Sequence, residues 1–236
     1  MPINRRDILA GAASFAAMPS YADERTEYVE YSFVDYYAPS IKGTLPSLEK
    51  DILAAEKLAA SMPTNDHLAI MHKLSEITER GSTGELFNMR WKKIANPLIV
   101  LFFHDVGYNE KTYPNDCTPW CAATVSWCLK RSGKKLPAKP ASSQSFLRYG
   151  RRVTDPVPGD LCVFTNIGDN ALGHVGLFMA RNGDAISVLG GNQSPGSETN
   201  CGPGYRQSKI SLAKMAANEA QDAAVSPLFF SAFIRP

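Results

Sequence analysis

Two apolar stripes with helical spacing lie in the first half of the chain. The first runs from Ser47 to Pro63, with apolar positions at Leu48, Ile52, Leu53, Ala55 and Leu58. The second begins at Asn65 or Asp66 and stops at Gly81, with Leu68, Ile70, Met71, Leu74 and Ile77. Apolar residues that recur every three or four positions predict amphipathic helices. We therefore expect a helical hairpin here, preceded by residues 23–46, which have no clean period and form either an arm or a linker.

The next apolar run extends from Asn96 to Gly107. It fits either a buried strand or a helix that starts at Pro97. Its length, and Gly107 as a stop signal, favour the helix.

A further helix is expected around Cys121. Thr118 suits the N-cap, Pro119 suits the first helical position, and apolar residues continue to about Gly133. Cys121 then lies in the first turn, where unpaired backbone N–H groups and the helix dipole favour a thiolate. The sequence thus predicts a reactive cysteine with a lowered pKa.

Beyond a short helix at 143–150 and a turn at 156–160, the pattern changes to short apolar runs separated by Gly, Asn and Asp. These runs are 161–164, 174–179 and 185–189, and 229–234 can add a closing strand. Such spacing predicts an antiparallel meander. Helices followed by strands indicate an α+β fold, with N-terminal helices packed on an antiparallel β-sheet meander.

Charge excludes some partners. The 236-residue chain has 25 Lys and Arg, 23 Asp and Glu, and a net charge of +2, which argues against nucleic-acid binding. Its apolar runs are too short for a transmembrane helix, so we expect no stable membrane insertion.

Residues 1–22 resemble an export signal. Arg5 and Arg6 precede a weakly apolar stretch, and small residues precede a possible cleavage site after Ala22. The paired arginines resemble a twin-arginine signal. We expect an exported protein, periplasmic or extracellular.

The five cysteines are an odd number, so at least one thiol is free or pairs with another chain. Cys121 is the candidate for the free thiol. A bridge between Cys117 and Cys201 is one hypothesis for the rest, while Cys128 is expected to pack inward beside the strand that carries Cys162. The spacing does not match a zinc ribbon or finger, so we expect no metal site and no cofactor.

A thiol nucleophile needs a base, and the base needs an orienting group. His174 starts a predicted strand between Gly173 and Gly176, which allow another element to approach closely. The following strand ends at Asn192, and the turn at Asn182 would bring it near His174. We expect Cys121, His174 and Asn192 to form a catalytic triad.

These residues carry a resemblance to a known family. The motifs, in order, are Thr118-Pro119-Trp120-Cys121-Ala122-Ala123, Pro158-Gly159-Asp160, Gly173-His174-Val175-Gly176 and Gly190-Gly191-Asn192-Gln193. The chain from Asn96 to Pro236 is similar to the papain-like cysteine amidohydrolases of the CHAP and NlpC kind. These enzymes act on peptide bonds in bacterial cell walls.

The resemblance implies a papain-like catalytic domain over residues 96–236, with residues 1–22 as the export signal and 23–95 as the arm and helical hairpin. It implies a Cys121–His174–Asn192 amidase or endopeptidase acting on peptidoglycan stem peptides through a thioester. Trp120, Gly173 and Gln193 would line the substrate groove. Many CHAP members carry Glu where this chain has Gly190 and Gly191, so Gln193 is the reserve for the orienting group.

Three other activities fit parts of the pattern. An acyl transferase or transpeptidase can use the same triad. A catalytically silent wall-binding module and a thiol-redox protein are further alternatives, although the chain has no Cys-x-x-Cys motif. The bond cleaved, any inhibitor or immunity partner, and the oligomeric state stay open.

Overall fold

A computed structural model describes residues 29–30, 47–108, 116, 118–193, 208–216 and 228–236. The helices are α1 Glu49–Ser61, α2 His67–Ser75, α3 Pro97–Asp105 and α4 Cys121–Arg131, followed by a 3₁₀ helix Ser143–Arg148. The strands are β1 Val29–Glu30, β2 Arg151–Val153, β3 Leu161–Asn166, β4 Gly173–Asn182, β5 Ala185–Gln193, β6 Lys209–Ala216 and β7 Leu228–Arg235. The proposed export signal 1–22 and the Cys117–Cys201 bridge lie outside the described residues.

Local signals explain where the helices begin. The Asp66 carboxylate accepts hydrogen bonds from the backbone N–H groups of Leu68 and Ala69, which caps α2. The Asn96 side chain accepts from Leu98 N–H, and Pro97 occupies the first position of α3. The hairpin of α1 and α2 and the helix at Pro97 confirm the pattern-based predictions.

One sheet organises the rest of the chain, with strand order β1-β6-β5-β4-β3-β7-β2. β1 pairs parallel with β6, and the other neighbours pair antiparallel. The run from β3 to β6 is a meander, so the α+β class with helices on an antiparallel sheet is confirmed. The predicted strands correspond to β3, β4, β5 and β7, whereas the pattern did not predict β1, β2 or β6.

The helices cover one face of this sheet. The larger buried cluster joins α1, α2, α3 and α4 to strand side chains such as Val163 and Val175, and it contains Cys128. A smaller cluster on other strand side chains contains Cys162, Phe178 and Phe233. Cys128 therefore packs inward as expected, but it belongs to a different cluster from Cys162.

Two contacts join the hairpin to the following segment. Arg131 of α4 donates hydrogen bonds to the carbonyls of Ala60, Met62 and Pro63 at the end of α1. His67 Nε2 lies 2.8 Å from the carbonyl oxygen of Gly159, to which it donates. The hairpin is thus held against both α4 and the turn before β3.

Asp160 closes that turn. Its buried carboxylate accepts from Arg235 Nε at 3.0 Å and from an Arg235 terminal nitrogen at 2.8 Å, and it also accepts from Val157 N–H. A bidentate arginine–carboxylate pair fixes direction as well as distance. The acidic residue of the Pro158-Gly159-Asp160 motif therefore anchors the end of β7.

Within the described ranges, none of the helices is long and apolar enough to cross a membrane.

Candidate active site

The helix that carries the cysteine starts later than its sequence suggests. Trp120 is the N-cap, with φ −112° and ψ 8°, and Cys121 is the first residue of α4. The predicted start at Pro119, with Thr118 as the cap, is therefore wrong by two residues. Cys121 nevertheless stays in the first turn, where backbone N–H groups lack helical partners.

Cys121 is buried, with 2% of its surface exposed, and its thiol is free. Burial raises the pKa of the thiol to about 11, although backbone N–H groups of Val175, Ala122 and Cys121 itself favour the thiolate. The prediction of a lowered pKa is wrong for this conformation. A helix N-terminus contributes about 0.3–1 kcal/mol, which is less than the desolvation of a fully enclosed thiolate.

The same contact brings Cys121 to the start of β4. Val175, whose N–H favours the thiolate, directly follows His174 in that strand. α4 packs across both β4 and β5. The first turn of the helix and the first residues of the strand therefore meet at one place.

His174 is completely buried in β4, opposite Phe164 of β3. The two ring centroids are 6.5 Å apart. Burial lowers the pKa of His174 to about 3, so the imidazole is neutral at pH 7. In this conformation the site holds a thiol and a neutral imidazole.

The amide that contacts His174 belongs to Gln193. Its nitrogen lies 3.3 Å from His174 Nε2, and its oxygen accepts from Ser211 Oγ at 3.3 Å. With the amide nitrogen toward His174, Nε2 accepts and the ring proton is on Nδ1. The Ser211 hydroxyl can donate or accept, so the reversed amide would instead accept from Nε2–H and leave Nδ1 unprotonated.

Asn192 faces elsewhere because of a β-bulge. The β5–β6 register shifts between Gly190 and Gln193, and Asn192 has a left-handed φ of 58°. An extra residue of this kind reverses the face on which the next side chain lies. The structure consequently brings Gln193 to His174, while the Asn192 oxygen accepts from Arg90 at 3.3 Å.

Arg90 connects the two segments that carry the site. Its Nε donates to the backbone carbonyl of Asp116 at 2.8 Å, and a terminal nitrogen donates to Asn192. Asp116 precedes the α4 loop, and Asn192 ends β5. Arg90 is 93% buried, since only 7% of its surface is exposed. One guanidinium thus holds the approach to Cys121 against the end of the strand beside His174.

Asp116 is fully buried in the same network. Its Oδ2 accepts from the backbone N–H groups of Trp91 and Asn96, at 3.1 and 3.0 Å. Burial raises the pKa of this carboxyl to about 6, while Arg90 and these hydrogen bonds act in the opposite direction. The carboxyl therefore titrates closer to neutral pH than an exposed aspartate.

Trp120 lies in the core, and its ring leaves no space for a side chain at Gly191. Its ring is 0% exposed, and a Cβ at Gly191 would lie 2.6 Å from that ring and from Thr124 Oγ1. Close packing between α4 and β5 therefore requires glycine at this position. The structure therefore has no room for a glutamate side chain at Gly191.

Gly173 has a comparable role at the start of β4. A Cβ there would lie 2.0 Å from the carbonyl oxygen of Phe164 and 2.2 Å from the Gln144 amide nitrogen. Gln144 uses this space to donate to Phe164 at 2.9 Å. Gly173 is half-buried and directly precedes His174 in β4.

Sequence reasoning missed Arg90, Asp116 and Gln144. Arg90 lies between periodic segments, and Gln144 is a polar residue in a short helix, so neither position carries a local signal. Asp116 borders the cysteine motif, which is the one hint the sequence offers.

Among the residues that the structure describes, no group of three or more His, Cys, Asp or Glu is arranged to hold a metal ion.

Comparison with known proteins agrees with this geometry. Residues 110–192, about a third of the chain, match the family model of the CHAP domain. No curated protein and no solved structure matches the chain. The match includes Cys121, His174 and Asn192 and ends one residue before Gln193. This match confirms the resemblance of residues 110–192 to CHAP domains, which in general are peptidoglycan hydrolases of the amidase type.

Proposed function

We propose that the protein is a cysteine amidohydrolase with a papain-like catalytic domain that cleaves an amide bond in peptidoglycan. Cys121 would be the nucleophile, His174 the general base and acid, and Gln193 the orienting amide. One observation carries the proposal: the N–H of Val175, the neighbour of His174, favours the thiolate of Cys121 at the first position of α4. Nucleophile and base thus belong to elements that meet where backbone donors are available.

The first half of the reaction forms a thioester. With the Gln193 amide turned so that its oxygen accepts from Nε2–H, His174 Nδ1 would be unprotonated and would remove the thiol proton as Cys121 sulfur attacks the carbonyl carbon of the scissile amide. Backbone N–H groups at the start of α4 stabilise the developing oxyanion. The imidazolium then gives its proton to the leaving nitrogen, the C–N bond breaks, and an amine departs.

The second half releases the acid. His174 removes a proton from water, which attacks the thioester carbonyl, and the thiolate leaves and recovers the proton. The imidazolium needs an acceptor at Nε2, where the Gln193 amide nitrogen lies 3.3 Å away. A half-turn of the Gln193 amide would present its oxygen instead, so we assign the orienting role to Gln193.

Asn192 and Arg90 would support this arrangement through the hydrogen bond between their side chains. The hydrogen bond between them fixes the bulge that directs Gln193 toward His174. Arg90 comes from residues 23–95, so the hairpin segment would contribute to the site of the catalytic domain at 96–236. Gly173 would form part of the groove rim, and Trp120 would brace the groove from the core.

The substrate would be a peptidoglycan stem peptide. CHAP domains act on the cell wall, which supports a location outside the cytoplasm. The twin-arginine pattern of residues 1–22 supports export by that route.

Digestion of purified sacculi tests the proposal. Wild-type protein should release fragments that mass spectrometry identifies, and Cys121→Ala should release none. Cys128→Ala is the matched control, because this buried cysteine lies two turns along the same helix and has no role in the reaction. Equal release by Cys121→Ala and wild type would overturn the proposal.

The burial of Cys121 and His174 supports one alternative, a catalytically silent wall-binding module. A thiol with a pKa of about 11 and an imidazole with a pKa of about 3 do not form an ion pair at neutral pH. A silent module would bind sacculi equally well with or without Cys121. It would release no fragments in the digestion experiment.

A further inference from the structure

A cavity lies apart from the proposed catalytic residues. This cleft encloses about 870 Å³ between residues 134–139, which follow α4, the 3₁₀ helix, and residues 170–171. Cys121, His174 and Gln193 do not line it. Whatever the cleft binds would therefore not need to contact the reacting thiol.

The lining of the cleft is strongly positive. It contains Lys134, Lys135, Lys139 and Arg148 and no aspartate or glutamate side chain. The whole chain has 25 basic and 23 acidic residues, so this is a local imbalance. In the part of the chain that the structure describes, none of the four forms an ion pair with a carboxylate. A concave surface of one charge attracts an oppositely charged ligand.

The walls between these charges are held in place. Tyr149 donates its hydroxyl to the Lys135 carbonyl at 2.7 Å, which ties the 3₁₀ helix to the segment after α4. Gln144 donates to the Phe164 carbonyl and accepts from Thr165 Oγ1, at 2.9 and 2.8 Å. Both ends of the Gln144 amide are thus fixed on β3. A cleft with fixed walls loses less conformational entropy when a ligand binds.

We propose that this cleft binds a carboxylate-bearing peptide chain. The four cations of the cleft complement the negative charge of carboxylate groups along a peptide. Leu136, Leu147 and Tyr149 add apolar surface, which suits peptide side chains better than a phosphate polymer. The positive charge selects acidic peptides over neutral ones.

The position of the cleft relates this site to the rest of the molecule. Asn170 and Ala171, at one end, lie a few residues before His174 in the loop that leads into β4. An acidic peptide held in the cleft would extend to that loop. The proposal does not depend on Cys121 being a nucleophile, so binding can be measured whether or not the protein hydrolyses anything.

Fluorescence anisotropy with a labelled oligoglutamate peptide provides the test. Oligoglutamine of equal length is the neutral comparison, and inorganic polyphosphate is the competitor. We expect the full-length protein to bind oligoglutamate, with affinity that falls as salt is added. Equal binding of oligoglutamine would overturn the carboxylate assignment. The assignment would also be overturned if polyphosphate displaced the labelled peptide at a lower concentration of anionic groups than unlabelled oligoglutamate requires.

Two triple variants locate the binding. Lys134→Glu, Lys135→Glu and Lys139→Glu together should weaken binding by about tenfold or more, whereas a matched change outside the cleft should weaken it by less than about twofold. The matched variant replaces three exposed lysines of α1 and α2 with glutamate, Lys50, Lys57 and Lys73. Equal losses in both would show general charge attraction and overturn the site.

A single substitution is the control for a folding defect in the triple cleft variant. Lys139 is exposed, so Lys139→Glu leaves the core untouched. It should weaken oligoglutamate binding by about threefold, in the same direction as the triple variant. Unchanged binding in both the single and the triple cleft variant would overturn the proposal.

Discussion

Replacing His174 with glutamine should change how the stability of the protein depends on pH. Burial lowers the pKa of His174 from 6.5 to about 3 in the folded protein. In the unfolded chain the same imidazole takes up a proton near pH 6.5. Between these two values the unfolded state binds a proton that the folded state does not, so the folded protein loses stability as pH falls.

The size of the effect follows from the pKa shift. Each unit of difference corresponds to about 1.4 kcal/mol. The free energy of unfolding should therefore fall by about 3 kcal/mol from pH 7.5 to pH 4.5 because of this residue alone. At pH 7.5 and above the contribution is almost fully present, and glutamine does not titrate. The free energy of unfolding of His174→Gln should gain about 3 kcal/mol on wild type between pH 7.5 and pH 4.5.

Urea denaturation followed by tryptophan fluorescence measures this difference, because Trp91, Trp120 and Trp127 are buried in the folded protein. Curves at several pH values between 4.5 and 7.5 give the free energy of unfolding of each variant. His104→Gln is the control, since the His104 side chain is 71% exposed, and its profile should run parallel to wild type. If the His174→Gln profile is also parallel to wild type, the folded protein protonates His174 without penalty and the reasoning is refuted.

Two further predictions concern the neighbouring groups. Burial raises the pKa of Asp116 from 3.8 to about 6, so wild type loses stability as pH rises through this range. Asp116→Asn should gain about 2 kcal/mol on wild type between pH 4 and pH 6 in the same urea experiment, and a constant difference would contradict this. Gln193→Ala should lower kcat for fragment release from sacculi on the order of a hundredfold, whereas Asn192→Gly, which keeps the left-handed backbone, should lower it only several-fold. The reverse order of the two losses would make Asn192 the orienting residue.

Much of the fold is predictable because its signals are local. Asn96 and Pro97 define the start of α3, and the turn at Asn182 defines the β4–β5 hairpin. β6 escaped prediction for a physical reason. The polar and apolar alternation of Lys209-Ile210-Ser211-Leu212 changes phase at Ala213-Lys214-Met215, because Ile210 and Leu212 join the larger cluster while Ala213 and Met215 join the smaller one. Lys209–Ala216 is therefore recognisable as a strand only with its neighbours in place.

The electrostatics of the site depend on packing that is not local. Position in the first turn of a helix favours the Cys121 thiolate, and the sequence indicates that much. The enclosure of the thiol by α4, β4 and β5 depends on the whole fold, and it outweighs the helix end because a rise of about two pKa units corresponds to about 3 kcal/mol. For the same reason, the burial that keeps His174 neutral is invisible in the Gly173-His174 motif.

The choice between Asn192 and Gln193 shows where motif spacing stops being informative. Side chains alternate along a strand, so one inserted residue exchanges the side chain that faces His174. Gly190, Gly191 and Asn192 tolerate a bulge at any of several positions. The position realised is the one in which Gly191 fits under Trp120 and Arg90 holds Asn192. Both contacts come from outside β5, so the motif locates the amide that contacts His174 to within a residue and the packing decides which one it is.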